Sequence, residues 1–208
     1  MQSYSLKKKD SIREGGRPRA VVVCFLDARS AAVQEHWLNQ AAERLAPPTF
    51  NNQAPKIHCE ILFPENDTTH ERGYSCSIAY NGRVFFRRKS FSRQEWTFRV
   101  LRKIPAAMFD SMRAFCKSCV GDYFNHVGYM LYGASSGSIR LNGAWAGINY
   151  YPMGRRWFCS EIVIEALKMG NYLPADVSSV QHPETLYQLL KEQSAAGTAK
   201  TLSGIQIV

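Results

Sequence analysis

The stretch "YSCSIAYNGRVFFRR", residues 74 to 88, constrains the fold more than any other part of the chain. Asn81-Gly82 joins two runs of aromatic and β-branched residues, which is the strongest short-range signal for a β-hairpin. A hairpin commits its flanks to antiparallel pairing and needs further strands to bury a face. The chain supplies them. "AVVVCFL" (20–26) is a short valine-rich run that reads as a buried strand, and "KIHCEILF" (56–63) reads as another. "EWTFRVLRKI" continues the sheet, with Trp96, Phe98 and Val100 on one face.

Helices are expected between and after these strands. "ARSAAVQEHWLNQAAERLA" places Val33, Trp37, Leu38, Ala41 and Leu45 at helical spacing, and the following prolines end it. Pro105 opens "AAMFDSMRAFCKSCV", whose stripe reads as Met108, Met112, Phe115 and Cys119, with Gly121 closing the helix. A third helix spans about Ser160 to Met169, and a short fourth one begins at Pro183. The stretch from Gly133 to Gly154 lacks periodicity and reads as loop. One α+β domain is expected over residues 20–193. A flexible basic leader (1–19) precedes it and a small, polar tail (194–208) follows.

With 208 residues, 45% of them apolar, the chain can bury a sizeable core. No apolar run approaches the ~18 to 20 residues of a membrane span, and the basic start lacks the apolar segment of a secretory signal. An intracellular, reducing compartment is expected, so the six cysteines read as free thiols. The net charge of +9 favours anionic partners, either anionic lipid or nucleic acid, through the basic surface that includes "RVFFRRKSF".

Two places carry chemistry. In "IHCEILF" the side chains alternate, so His58 and Glu60 share one strand face while Cys59 points to the other with Ile57 and Ile61. An imidazole can take a thiol proton and a carboxylate can orient the ring. In "RRWFCSEIVIEAL" Cys159 stands where an apolar stretch becomes a helix, and a thiol at that end of a helix dipole ionises more readily. Arg155 and Arg156, just upstream with Trp157, are candidates for holding a substrate's carboxylate or phosphate. Cys116 and Cys119 form a C-x-x-C on a helix and read as structural thiols. A zinc site built from them with Cys76 and His70 lacks a second such pair, so neither metal nor cofactor is expected.

The ordered set "AVVVCFLDARS", "HCEILF", "FCKSCVGDYFNHVG", "WFCSEIVIEAL" and "HPETLYQLL" resembles the circularly permuted NlpC-type papain-like enzymes. That branch includes YiiX-like bacterial proteins, a poxvirus member and, more distantly, the lecithin:retinol acyltransferase group. The resemblance implies a permuted papain-like fold in which an antiparallel sheet packs against helices and the nucleophile sits at a helix N-terminus. It implies Cys159 as nucleophile, His58 as base and Glu60 as the orienting residue. The substrate would be a small molecule, peptide or lipid carrying an acyl group, cleaved or transferred through an acyl-enzyme. Asn125 stands where the bacterial pattern has an acid, so Phe124 and Asn125 read as structural. Two alternatives remain: a papain-like module without activity that serves interaction, and a basic nucleic-acid-binding protein.

Overall fold

A computed structural model describes residues 19–30, 37–49, 53–66, 70–78, 82–125 and 156–203. The leader up to residue 18, the start of the first helix, the segment 126–155 and residues 204–208 lie outside the described residues. In chain order the elements are β1 (Arg19–Asp27), α1 (Trp37–Arg44), β2 (Lys56–Pro64), β3 (Arg72–Ile78), β4 (Val84–Ser90) and β5 (Trp96–Ile104). There follow α2 (Ala106–Ser118), β6 (Tyr123–Phe124), β7 (Arg156–Trp157), α3 (Cys159–Met169) and α4 (Pro183–Ser203). The chain is thus mixed α+β, with a five-stranded antiparallel sheet ordered β4-β3-β2-β1-β5 and packed with helices. No described helix is long and apolar enough to cross a membrane.

Strand alternation divides the sheet into two faces. Val21, Val23, Phe25, Cys59, Ile61, Phe63, Cys76 and Ile78 turn toward α2, α3 and α4 and form the main core with Phe109, Met112, Ile162, Leu167, Leu186 and Leu190. The opposite face carries Val22, Cys24 and Leu62 with Phe91, and Trp96, Phe98 and Val100 pack there as the alternation predicts. α3 has Ile162, Val163, Ile164, Ala166 and Leu167 all fully buried. So wide an apolar surface belongs in the interior; the helix packs against both β2 and α2, and only the side carrying the Glu165–Lys168 pair is partly exposed.

Several local expectations change. A joint of Asn81 and Gly82 alone would set Ile78 opposite Phe85, but Ile78 pairs with Val84. The cause lies across the sheet: Arg83 bridges to Tyr123, and Val84 exchanges hydrogen bonds with the 121–122 backbone. The end of β4 is therefore shared with the chain leaving α2. In α2 the buried residues are Phe109, Met112 and Cys116, while Met108 and Phe115 are only partly buried at the edge of the core. α1 buries Asn39 and Ala42, not Ala41. α4 continues to Ser203, well past the short helix expected after Pro183.

Candidate active site

β2, the central strand of the sheet, carries His58 and Glu60 opposite Leu26 and Cys24 of β1 respectively. Glu60 is almost fully buried and is held from three directions. Ser75 Oγ donates to its Oε2 at 2.7 Å, Lys89 Nζ donates to its Oε1 at 2.5 Å, and His58 Nε2 lies 3.5 Å from Oε1. Burial favours the protonated acid, but the His58 hydrogen bond and charge, followed by those of Lys89, bring the carboxyl down to about 2. Lys89 itself packs over the rings of Phe91 and Trp96. Ser77 stands 3.5 Å from His58 Nε2 while donating to the Cys59 carbonyl at 2.8 Å. Glu60 and Ser77 therefore both stand at Nε2 of the ring.

The His58 ring also interacts with Cys159. This cysteine is the first residue of α3, and the chain reaches it through Trp157 and Phe158. Trp157 is buried, donates its indole N–H to Asp122 at 2.9 Å and meets Phe115 edge to face, which fixes the approach to the helix. Its place is in the packing beneath the helix start and not among the residues lining a cavity. Phe158 is the extended N-cap, and Glu161 Oε2 accepts its backbone N–H at 3.2 Å. Glu161 thus serves as the capping carboxylate of the first turn. Ser160 Oγ donates to the Gln181 carbonyl at 2.5 Å, tying the helix start to the chain that enters α4.

Around the Cys159 sulfur three groups converge. The Cys59 thiol and backbone N–H hydrogen-bond to it, and so does the His58 ring. The Cys59 thiol bond lowers the Cys159 pKa most, burial works against it, and the His58 charge and hydrogen bond add to the lowering. The thiol comes out well below its usual value, which favours the thiolate. For His58, burial lowers the pKa, but the charge and hydrogen bond of Cys159 and then those of Glu60 raise it to about 9. The favoured state is a thiolate–imidazolium pair with a carboxylate behind the imidazolium.

Strand geometry explains how residues from both faces of β2 reach one sulfur. The β2–β3 ladder covers Ile61 to Pro64 only, so β2 presents an unpaired edge over its first half on that side. The helix start meets this edge. His58 approaches from one face, Cys59 from the other, and the Cys59 N–H points sideways between them.

Cys159 also borders a cavity of about 50 Å³ whose walls include Ala42, Ile57, Phe124, Phe158, Val180 and Pro183. His182 lines it too, but both of its nitrogens are occupied. Nε2 is 2.9 Å from the Ala42 carbonyl, and Nδ1 accepts the Glu184 N–H at 3.1 Å. Burial holds its pKa below the ordinary value, so it stands as a neutral helix-start residue.

Of the residues singled out from sequence, the structure brings Cys159, His58 and Glu60 together. Arg155 lies outside the described residues. Arg156 is half-buried in β7, paired in parallel with Tyr123, and does not line the cavity. On the basic β4 ribbon, Arg88 is paired with Glu65, and nearby Arg93 with Glu71, so part of that charge is already met. All six cysteines are free and buried, and Cys76 and Cys116 meet in the core. Among the described residues no cluster of histidine, cysteine or acidic side chains is arranged to hold a metal ion. Sequence reasoning missed Ser75, Ser77 and Lys89 as partners of His58 and Glu60, and Cys59 as a contact of Cys159. Serines at every second position of a buried strand, "YSCSI", were the available signal for the first two.

No family model, curated protein or solved structure matches the chain.

Proposed function

We propose that the protein is a cysteine-dependent hydrolase or acyltransferase acting on an amide or ester through an acyl-enzyme, with Cys159, His58 and Glu60 as its triad. The observation that carries the reading is the shared environment of Cys159 and His58: a lowered thiol and a raised imidazole that interact with each other, with Glu60 at Nε2 of the ring. Burial alone would drive both groups to their neutral forms. Their stabilisation as an ion pair is what nucleophilic catalysis by a thiol requires. The resemblance of the five sequence segments to permuted papain-like enzymes supports the same reading.

In this mechanism the Cys159 thiolate attacks the substrate carbonyl. The oxyanion that forms faces the start of α3, where the first backbone N–H groups, Cys159's among them, have no partner within the helix. His58 gives its proton to the leaving amine or alcohol. It then deprotonates water or an acceptor hydroxyl, which resolves the thioester, while Glu60 keeps the ring oriented. Arg155, just upstream of the nucleophile, would hold a carboxylate or phosphate on the substrate. A peptide or a lipid with an acyl group fits this chemistry, and the basic surface would favour an anionic one.

The test is a mass-spectrometric search for an acyl adduct on Cys159 after incubation with panels of peptide, amide, ester and phospholipid substrates. An adduct on Cys159 that is absent in His58→Ala supports the triad. Turnover that survives Cys159→Ala would refute it.

A further inference from the structure

Cys59 is unused in the mechanism above, yet its thiol touches the nucleophile. Ile57 lines the Cys159 cavity, and Cys59 lies two residues further along the same strand face. α3 packs directly on β2, and both cysteines belong to one core cluster. A side-chain hydrogen bond joins the two sulfurs.

We propose that Cys59 and Cys159 form a reversible redox site, in which oxidation of Cys159 by a hydroperoxide is resolved by Cys59 to give an intramolecular disulfide. The first step is attack of the Cys159 thiolate on a peroxide oxygen. The S–O bond forms, the O–O bond breaks, and the departing alkoxide or hydroxide takes the proton from the His58 imidazolium. Cys159 is then a sulfenic acid. In the second step the Cys59 sulfur attacks the sulfenic sulfur. The S–S bond forms, the S–O bond breaks, and hydroxide leaves as water with the Cys59 proton. Two electrons pass from the two thiols to the peroxide. A dithiol reductant reverses the change by thiol–disulfide exchange.

The two cysteines differ in the way these roles require. Cys159 is 8% exposed, at the cavity, whereas Cys59 is fully enclosed. Peroxide therefore meets Cys159 first. Burial, followed by the hydrogen bond and charge of Cys159, keeps Cys59 protonated until the neighbouring sulfur has been oxidised. The Cys76–Cys116 contact provides an internal comparison. It is also a pair of neighbouring thiols, but neither borders the cavity, and the hydrogen bond that the Cys116 thiol donates to Cys76, followed by burial, pushes Cys116 up. Proximity without a thiolate leaves that pair reduced.

The site does not depend on the hydrolase reading, because it is read by mass and not by turnover. The native full-length chain is treated with hydrogen peroxide in small excess, alkylated under denaturing conditions, and digested for peptide mapping. The expected product is a Cys59–Cys159 linked peptide, lost on dithiothreitol treatment, with Cys24, Cys76, Cys116 and Cys119 recovered as alkylated thiols. Native iodoacetamide labelling of Cys159 should disappear with oxidation and return with the reductant. In Cys59→Ala the sulfenic acid should persist long enough for dimedone capture and then proceed to sulfinic acid. Oxidation of Cys159 with Cys59 still free in the wild-type chain would overturn the disulfide alone, as would a Cys76–Cys116 link formed in its place. A Cys159 that peroxide leaves untouched would overturn the redox site and also count against the activated thiolate of the proposed function.

Discussion

At the scale of single residues, protonation states give the most direct tests. The thiolate–imidazolium form begins where Cys159 ionises, well below the ordinary thiol range, and ends where His58 loses its proton, at about 9. Turnover against pH should therefore show a plateau across neutrality with an alkaline limb near 9. Glu60→Gln removes a charge that helps hold the imidazolium, so that limb should move to lower pH, and an unmoved limb would remove Glu60 from the triad. His58→Ala should lower kcat/KM by about 10²- to 10⁴-fold while the fold persists by circular dichroism. The pairing of His58 with Glu60 is legible in sequence because alternation along a strand is a strict rule. The Cys59 contact is not. Alternation sends Cys59 to the opposite face, and only the unpaired edge of β2 lets both faces meet one sulfur.

At the scale of elements, packing patterns were read more securely than registers. The strands, the valine-rich centre of the sheet and the helix starting at Cys159 all follow from hydrophobic runs whose period is visible locally. The β3–β4 register escapes local reading because the competing partner of Arg83 is Tyr123, forty positions away in the chain. The α2 stripe was read in part: Met112 and Cys119 are buried and Met108 and Phe115 pack at the edge of the core, but Phe109 and Cys116 are buried too, because the helix carries two overlapping apolar stripes and the sheet decides how deeply each sits. Gly73 offers a test at this scale. A Cβ there would land on the Phe63 carbonyl and within 2.8 Å of the Pro64 Cα, in backbone that cannot swing away. Gly73→Ala should cost about 1–3 kcal/mol of stability, read as a lower urea midpoint. Labelling of Cys159 in the folded fraction should be unchanged, because His58 lies toward the other end of β2.

At the scale of the whole molecule, the buried ionisable groups set the pH profile of stability. Glu60 has a folded pKa near 2 against 4.5, so its contribution is complete above 4.5 and is lost as pH falls toward 2. Cys159 is also depressed, so the unfolded chain binds the extra proton and stability rises with pH above its folded pKa. His58 is raised from 6.5 to about 9, so its contribution is complete below 6.5 and is lost as pH climbs to 9. Between 6.5 and 9 the Cys159 gain and the His58 loss cancel. Above 9 the unfolded chain ionises thiols that burial keeps neutral in Cys24 and Cys59, and Cys116 adds to this through its Cys76 contact. Unfolding free energy from urea titrations should therefore rise up to about pH 6.5, run level to 9 and fall beyond. A steep slope across neutrality would contradict the ion pair. The class of the fold was legible from a hairpin and alternating strands, but the order β4-β3-β2-β1-β5 was not, because β5 passes over the neighbouring β4 to pair with β1 at the opposite edge of the sheet.

The ends of the chain divide the chemistry between them. All five strands of the large sheet, with His58 and Glu60 in place, precede the first residue of α3. A ribosome therefore releases His58 and Glu60 long before it makes Cys159, and the sheet face that α3 will cover waits bare in the meantime. No activated sulfur exists in the nascent chain until the C-terminal helices have been synthesised and docked. On the proposed mechanism, a copy that stalls during translation or is clipped before Cys159 would be chemically silent.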